Sequence, residues 1–129
     1  MNFGISTPDF PSTGCAVVFG GSGGLGMASA GLMAQRGSHV VITYRSRGEQ
    51  SQQFVEELQG LGYQAQAMAC DVTDRAQVDT AVAAFEAGGP IDVLVNNAGW
   101  DMIKPFLDTD ADLWKKVIDI NLHGPLNMD

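Results

Sequence analysis

The sequence predicts an α/β fold built on a parallel sheet, and three observations lead to this prediction. Apolar stretches of strand length alternate with stretches of helical spacing from residue 15 onward. Three glycines, Gly20, Gly24 and Gly26, stand between the first strand and the first helix. Small, polar or charged residues follow each of four strands. Alternating strands and helices form βαβ units with right-handed crossovers, so we expect a doubly wound sheet with the strand order 3-2-1-4.

The first half of the chain supplies two strands and two helices. Residues 15–19 form a continuous apolar run, which is typical of a buried parallel strand. Small residues over 25–36 predict a helix that ends before Gly37. Residues 40–44 predict the second strand, and residues 49–61 carry apolar side chains at helical spacing.

The second half continues the alternation. Residues 64–70 alternate polar and small apolar side chains, which suits an edge strand. Residues 74–87 predict a helix whose start carries Asp74 and Gln77 at the spacing of a capping pair. Residues 91–95 predict the fourth strand, and one long helix is expected to begin near residues 109–112.

No linker or internal repeat divides the chain, so the domain assignment is simple. Residues 14–129 are predicted to form one partial domain. Residues 1–13 contain Pro8 and Pro11 and are predicted to be a flexible leader.

Composition narrows the class of protein. The 129 residues are 45% hydrophobic and 17% charged, as in a soluble globular domain, and the net charge of −8 argues against nucleic acid or an anionic membrane as partner. No apolar stretch approaches the roughly 18–20 residues of a membrane span. Because no secretory signal is visible, we expect a cytoplasmic protein whose two cysteines are free thiols. The spacing of the cysteines and histidines does not indicate a metal site.

The glycine-rich turn after the first strand predicts a phosphate site. Glycine tolerates the turn without strain, and the helix that follows presents unpaired N–H groups and its positive dipole end to an anion. The same stretch also fits Gly-x-Gly-x-x-Gly at Gly21, Gly23 and Gly26, so the glycines alone leave the spacing open. A P-loop is excluded, because no Gly-Lys-Ser/Thr follows the turn.

The other strand ends carry residues that suit one extended ligand. They are Arg45-Ser46-Arg47 after the second strand, Asp71-Val72-Thr73-Asp74 after the third and Asn96-Asn97-Ala98-Gly99 after the fourth. Ligands of doubly wound sheets lie across the carboxyl ends of the strands, so these segments together favour a dinucleotide. An S-adenosylmethionine methyltransferase fits less well, because it normally has a carboxylate where Arg45 stands.

These motifs resemble the short-chain dehydrogenase/reductase family over residues 14–128, with the Asn121-Leu122-x-Gly124 segment as a further match. The resemblance implies an NAD(P)-binding, Rossmann-type doubly wound parallel sheet, here truncated after the fourth strand and its following helix. It also implies hydride transfer with a small-molecule carbonyl or secondary alcohol. The cofactor-binding residues that it implies are Gly20, Ser22, Gly24, Leu25, Gly26, Asp71, Val72, Asn97, Ala98 and Gly99.

Asn121 matches the family's catalytic helix asparagine, which helps to hold the lysine-linked water of the proton relay. An alternative is that Asn121 is a buried asparagine that satisfies backbone groups near Pro125. The helical spacing places Asn121 on one face with apolar side chains, so both interpretations stay open.

The second strand end discriminates between cofactors. An acidic residue there would bind the ribose 2′-OH of NAD, whereas the guanidinium of Arg45 suits a 2′-phosphate. We therefore predict NADP(H) over NAD(H). The alternative is that Arg45 and Arg47 are solvated loop charges.

Three departures from the family pattern shape the functional prediction. The catalytic serine and Tyr-x-x-x-Lys pair have no counterpart, since Tyr44 and Tyr63 are followed four residues later by Gly48 and Ala67. The chain is therefore predicted to be an N-terminal fragment without activity of its own; the alternative is a non-catalytic dinucleotide-binding module. The family usually has threonine where Phe19 stands, so the turn lacks that hydroxyl.

Two further expectations concern substrate and assembly. Trp100-Asp101 and Lys104-Pro105-Phe106 are similar to branches that act on 3-oxoacyl or hydroxyacyl thioesters. A homo-oligomer is expected for the full-length enzyme. The fourth strand would leave an open apolar edge in this chain, which predicts self-association.

Overall fold

The computed structural model describes residues 13–128, and the predicted leader therefore lies almost entirely outside the described residues. The sheet has the order β3-β2-β1-β4, and every pair of neighbours is parallel, as predicted. The elements are β1 (Cys15–Phe19), α1 (Gly24–Gln35), β2 (His39–Tyr44), α2 (Gly48–Gly60), β3 (Ala65–Ala69), α3 (Arg75–Glu86), β4 (Ile91–Asn96), a 3-10 turn (Phe106–Asp108), α4 (Ala111–Ile118), a π-helical turn (Asp119–His123) and α5 (Gly124–Met128).

Alternating side chains of the strands build a separate core on each face of the sheet. On one face, Val17 and Phe19 of β1 pack with α3, where the rings of Phe19 and Phe85 meet edge to face with centroids 6.5 Å apart. On the other face, Val18 and Ile42 pack with α1 and α2. β1 and β2 are therefore covered on both sides, which explains the apolar runs at residues 15–19 and 40–42.

The two outer strands differ from the central pair. β3 pairs with β2 alone, and of its five residues only Ala65 is buried, so its prediction as an edge strand is confirmed. β4 pairs with β1 alone and leaves Leu94 40% exposed. Among residues 13–128, no helix has the length and apolar character needed to cross a membrane.

The predicted terminal helix is present over residues 111–128, but it is not a regular α-helix throughout. After α4 the backbone widens into the π-helical turn, in which the N–H of Gly124 bonds to the carbonyl of Asp119, five residues earlier. Pro125 gives the physical reason: it has no N–H for the carbonyl of Asn121, and its ring would crowd that carbonyl in a regular helix. The wider turn also seats Gly124 against Val72, whose Cγ2 atom lies 2.8 Å from the position that a Cβ on Gly124 would take.

The predicted capping pair at the start of α3 is confirmed. The Asp74 carboxylate accepts hydrogen bonds from the N–H groups of Ala76 and Gln77, at 3.0 and 3.2 Å. The Gln77 side chain donates to the same carboxylate at 3.0 Å, and its own carbonyl accepts from the N–H of Asp71. The bonds from the Gln77 backbone and side chain hold the pKa of Asp74 below its ordinary value.

The Asp74 cap predicts an acid-dependent contribution to stability. Because its pKa is lowered in the folded chain, the contribution is present above the ordinary carboxyl value of 3.8 and is lost as the pH falls through the lowered pKa. At pH 7 we expect Asp74→Ala to lower the Tm by a few degrees and Asp74→Asn by less. The Tm difference between the native chain and Asp74→Asn should shrink in acid; a difference independent of pH would contradict this account.

Candidate functional site

A cavity of about 330 Å³ opens along the carboxyl edge of the sheet, where all four strands end. This volume lies within the range of small-molecule sites. The residues that line it are Gly20, Ser22, Gly23, Tyr44, Arg45, Ser46, Arg47, Cys70, Asp71, Val72, Asn97, Ala98, Gly99, Trp100 and Ile120. Segments far apart in the chain thus converge on one site.

The glycine-rich turn lies directly against the segment that follows β4. Gly20 has a φ of +74°, and a Cβ on it would lie 2.5 Å from the Cα of Ala98. A Cβ on Gly26 would lie 2.7 Å from the Cα of Gly21. Both positions therefore require glycine for space, and Gly20 also requires it for its backbone conformation. Gly24, in contrast, has open space around its Cα.

Two hydrogen bonds tie Gly20 to the neighbouring strands. Its N–H donates to the Oγ1 of Thr43 on β2 at 3.1 Å, and its carbonyl accepts from the Nδ2 of Asn97 at the end of β4 at 2.8 Å. We refer to this pair of bonds as the Gly20 clamp. The turn is thus anchored although Phe19 supplies no hydroxyl.

Within residues 13–128, the first backbone N–H groups of α1 have no protein acceptor. Gly23 caps the helix without a side-chain bond, and the first turn contains no acidic residue. Ser22 and Gly23 line the cavity beside it. Gly24 and Leu25 lie outside the lining, with Leu25 80% exposed, so their contact with a cofactor stays a prediction.

The loop after β2 provides the basic wall of the cavity. Arg45 and Arg47 are both exposed and line it, and neither forms an ion pair with any residue from 13 to 128. The carbonyl of Arg47 is held by the N–H and the hydroxyl of Ser51, at 3.0 and 2.7 Å. The backbone at Arg47 is therefore held in place, while both arginines line the cavity without a carboxylate partner among residues 13–128.

The loop after β3 holds Asp71 in a defined orientation. Its Oδ1 accepts from the N–H and the hydroxyl of Thr73, at 2.9 and 2.7 Å. Val72 is buried beside it, and the Asn127 side chain donates to the Val72 carbonyl at 2.9 Å. Cys70 also lines the cavity, but burial, and then the nearby carboxylates, raise the pKa of its thiol, which does not favour a reactive thiolate.

Asn121 stands outside the cavity lining and holds a residue that belongs to it. Its Oδ1 accepts from the N–H of Trp100 at 3.2 Å, and its Nδ2 donates to the carbonyls of Trp100 at 2.6 Å and Val117 at 2.8 Å. The Asn121 side chain is exposed, and the backbone groups it satisfies are not near Pro125. Asn121 thus satisfies backbone groups, as the alternative interpretation expects, but it is exposed and those groups belong to Trp100 and Val117.

The sequence did not assign Tyr44, Ile120 or Thr43 to the site, and it connected Trp100 only with the substrate. Tyr44, Trp100 and Ile120 line the cavity, and Thr43 bonds to the glycine-rich turn that forms part of its wall. For Thr43 a signal existed: its hydroxyl directly follows the apolar residues 40–42 in a strand predicted to be buried. The Nζ of Lys116 lies 3.8 Å from the centroid of the Trp100 ring. No local pattern in the sequence places Trp100 in the cavity wall.

The parallel 3-2-1-4 sheet, with a glycine-rich turn at the end of its central strand, defines a Rossmann-type protein. The family model for short chain dehydrogenase matches residues 14–129. The chain belongs to the short-chain dehydrogenase family.

Relatives and solved structures agree with this assignment. The chain is 40% identical over 111 residues to the short-chain dehydrogenase/reductase FrzI of Cladobotryum sp, covering 85% of this chain and 43% of that protein. A variant of actinorhodin polyketide ketoreductase, solved with NADPH, is 31% identical with a TM-score of 0.83 over 96% of this chain and 46% of its own. A short chain dehydrogenase from Burkholderia cenocepacia J2315, solved with NADP, is 34% identical with a TM-score of 0.84, covering 89% and 47%. The chain thus spans less than half the length of each.

Proposed function

We propose that this chain binds NADP(H) as the cofactor-binding part of an oxidoreductase that acts on a carbonyl or a secondary alcohol. The observation that carries the proposal is the single cavity in which the anchored glycine turn, two arginines and the Asn97–Gly99 segment meet. The two solved relatives described above contain NADPH and NADP, respectively, which supports the same cofactor here.

The residues of the cavity fit the parts of such a cofactor. Gly20 and Ser22, with the free first turn of α1, suit the pyrophosphate, and we extend this role to Gly24, Leu25 and Gly26. When bound, NADPH supplies a hydride from its nicotinamide ring.

The remaining parts of the cofactor have their own candidate residues. Arg45 offers the paired donors that a 2′-phosphate needs, and Arg47 stands beside it. Asp71 presents a fixed carboxylate to the adenine, against which Val72 would pack. The segment Asn97–Gly99 would border the ribose next to the nicotinamide.

Proton transfer is the part of the reaction for which this chain lacks the family's residues. Its sequence contains no Tyr-x-x-x-Lys pair. We propose that the side chain of Asn121 positions the Trp100 backbone and, in the whole enzyme, helps to hold the lysine-linked water of the proton relay, as the family resemblance implies. The 129-residue chain alone is then a binding unit without turnover, and a non-catalytic dinucleotide-binding module is the second candidate function.

The narrower proposals concern substrate, assembly and location. The Trp100-Asp101 and Lys104–Phe106 segments support an acyl thioester as the substrate of the whole enzyme.

Leu94 on the open edge of β4, together with the 98% exposed Ile103 beyond it, supports self-association of this chain and a homo-oligomer for the whole enzyme. The cysteines are free and buried, which supports a reducing, cytoplasmic location.

A binding experiment on the purified chain tests the proposed function. We expect calorimetry to detect NADPH binding that is tighter than NADH binding, and we expect no carbonyl reduction when a ketone is added. Failure to bind either nucleotide would overturn both candidate functions. Reduction of the ketone by the purified chain, with contaminating enzyme excluded, would overturn its assignment as a binding unit alone.

A further inference from the structure

We propose that Thr43 is a positioning residue for cofactor binding: its hydroxyl holds the N–H of Gly20 and so fixes the turn that receives the pyrophosphate. The inference rests on the proposed function, and it goes beyond it by assigning a role to a residue that does not line the cavity. Thr43 lies in β2, one strand away from the turn that it supports.

The chemistry of Thr43 is unusual for its surroundings. It is 0% exposed, and its predecessors Val40, Val41 and Ile42 in the strand are buried apolar residues. A valine has nearly the same shape, and a buried hydroxyl costs free energy unless it is hydrogen-bonded. The bond of 3.1 Å from the Gly20 N–H supplies that partner. The hydroxyl therefore has a specific reason to occupy this position.

The Gly20 clamp acts on both peptide groups that flank Gly20. Thr43 holds the N–H on one side, and Asn97 holds the carbonyl on the other. Because β1 lies between β2 and β4 in the sheet, these bonds anchor the turn to both neighbours of its own strand. The clamp thus preserves the left-handed conformation of Gly20, from which the chain continues to Ser22 and Gly23 in the cavity wall.

The residue that precedes Gly20 does not provide this hydroxyl. Phe19 is 1% exposed and packs its ring against Phe85. Phe19 thus serves the core, and the hydroxyl that steadies the turn comes from Thr43 on the adjacent strand.

The test compares Thr43→Val with Thr43→Ser. Valine keeps the shape and removes the acceptor, which leaves the Gly20 N–H unpaired. We expect Thr43→Val to weaken NADPH binding about tenfold, because a turn that Thr43 no longer holds must be ordered when the nucleotide binds. Thr43→Ser retains the hydroxyl and should bind within about twofold of the native chain.

A ligand without the pyrophosphate separates a positioning role of Thr43 from a general loosening of the cavity. Adenosine 2′-monophosphate lacks the pyrophosphate, so its affinity, followed by NMR titration, should be equal in the native chain and in Thr43→Val. If Thr43→Val instead weakens both ligands by the same factor, or binds NADPH as the native chain does, the proposal is overturned.

Amide exchange in the ligand-free chain gives a readout that does not depend on the proposed function. The Gly20 N–H should exchange slowly in the native chain and in Thr43→Ser, and much faster in Thr43→Val. Equal exchange in the native chain and the valine variant would overturn the proposal even if NADPH binds. If the native chain does not bind NADPH, the proposed function fails, while slow exchange would still show that Thr43 holds Gly20.

Discussion

Gly20→Ala is expected to destabilise the folded chain by about 3 kcal/mol and to weaken NADPH binding by more than tenfold. Alanine rarely adopts the φ of +74° found at Gly20, and its Cβ would lie 2.5 Å from the Cα of Ala98. The obstructing atom belongs to the backbone, so no side-chain rotation relieves the clash. Urea unfolding followed by circular dichroism, combined with calorimetric titration of NADPH, measures both effects.

Gly24→Ala is the matched control for this substitution. A Cβ at Gly24 meets no atom within 4 Å, and the residue is helical, where alanine is favoured over glycine by up to about 1 kcal/mol. The control should therefore fold at least as stably as the native chain. Equal stability losses in Gly20→Ala and Gly24→Ala would contradict the steric account. A loss of NADPH affinity without a loss of stability in the control would support contact between Gly24 and the cofactor.

Arg45→Asp is expected to weaken NADPH binding about a hundredfold while leaving NADH binding nearly unchanged. The substitution removes a charge-assisted donor pair and places a carboxylate beside the 2′-phosphate, and each change costs on the order of 1–3 kcal/mol. NADH has a 2′-OH at that position, which an aspartate can bind. Titration of both nucleotides into the same preparation gives the ratio of their affinities.

The control for the charge change is Arg36→Asp. Arg36 follows α1 and does not line the cavity, so the variant changes the net charge equally at a distance from the site. We expect its NADPH-to-NADH affinity ratio to match that of the native chain. If Arg45→Asp also leaves the ratio unchanged, Arg45 is a solvated loop charge, and the preference for NADP(H) must come from elsewhere in the cavity.

The parts of the fold that follow from short-range patterns could be predicted from the sequence. The apolar run at residues 15–19 and the capping pair of Asp74 and Gln77 are local signals, and both correspond to the observed elements. The π-helical turn escaped prediction because apolar spacing describes which face of a helix is buried. It does not report the loss of a backbone donor at Pro125.

The candidate site, like the fold, could be predicted from the sequence only in part. The strand ends carry residue types that suggest a ligand, and the topology alone brings them to one edge of the sheet. The bonds from the Gly20 N–H to Thr43 and from the Trp100 N–H to Asn121 join residues 23 and 21 positions apart. Such pairs depend on the three-dimensional approach of separate segments, and no period within either segment encodes them.

The Gly20 clamp has a consequence for the order in which the contacts of the chain form during folding. Asn97 is 77 positions from Gly20, so closing that contact requires one of the longest loops in the chain to form. A nascent polypeptide that has completed only β1 and α1 contains the glycine-rich turn without either bond of the Gly20 clamp. We therefore expect the second of these bonds to form late in folding, when β4 docks beside β1.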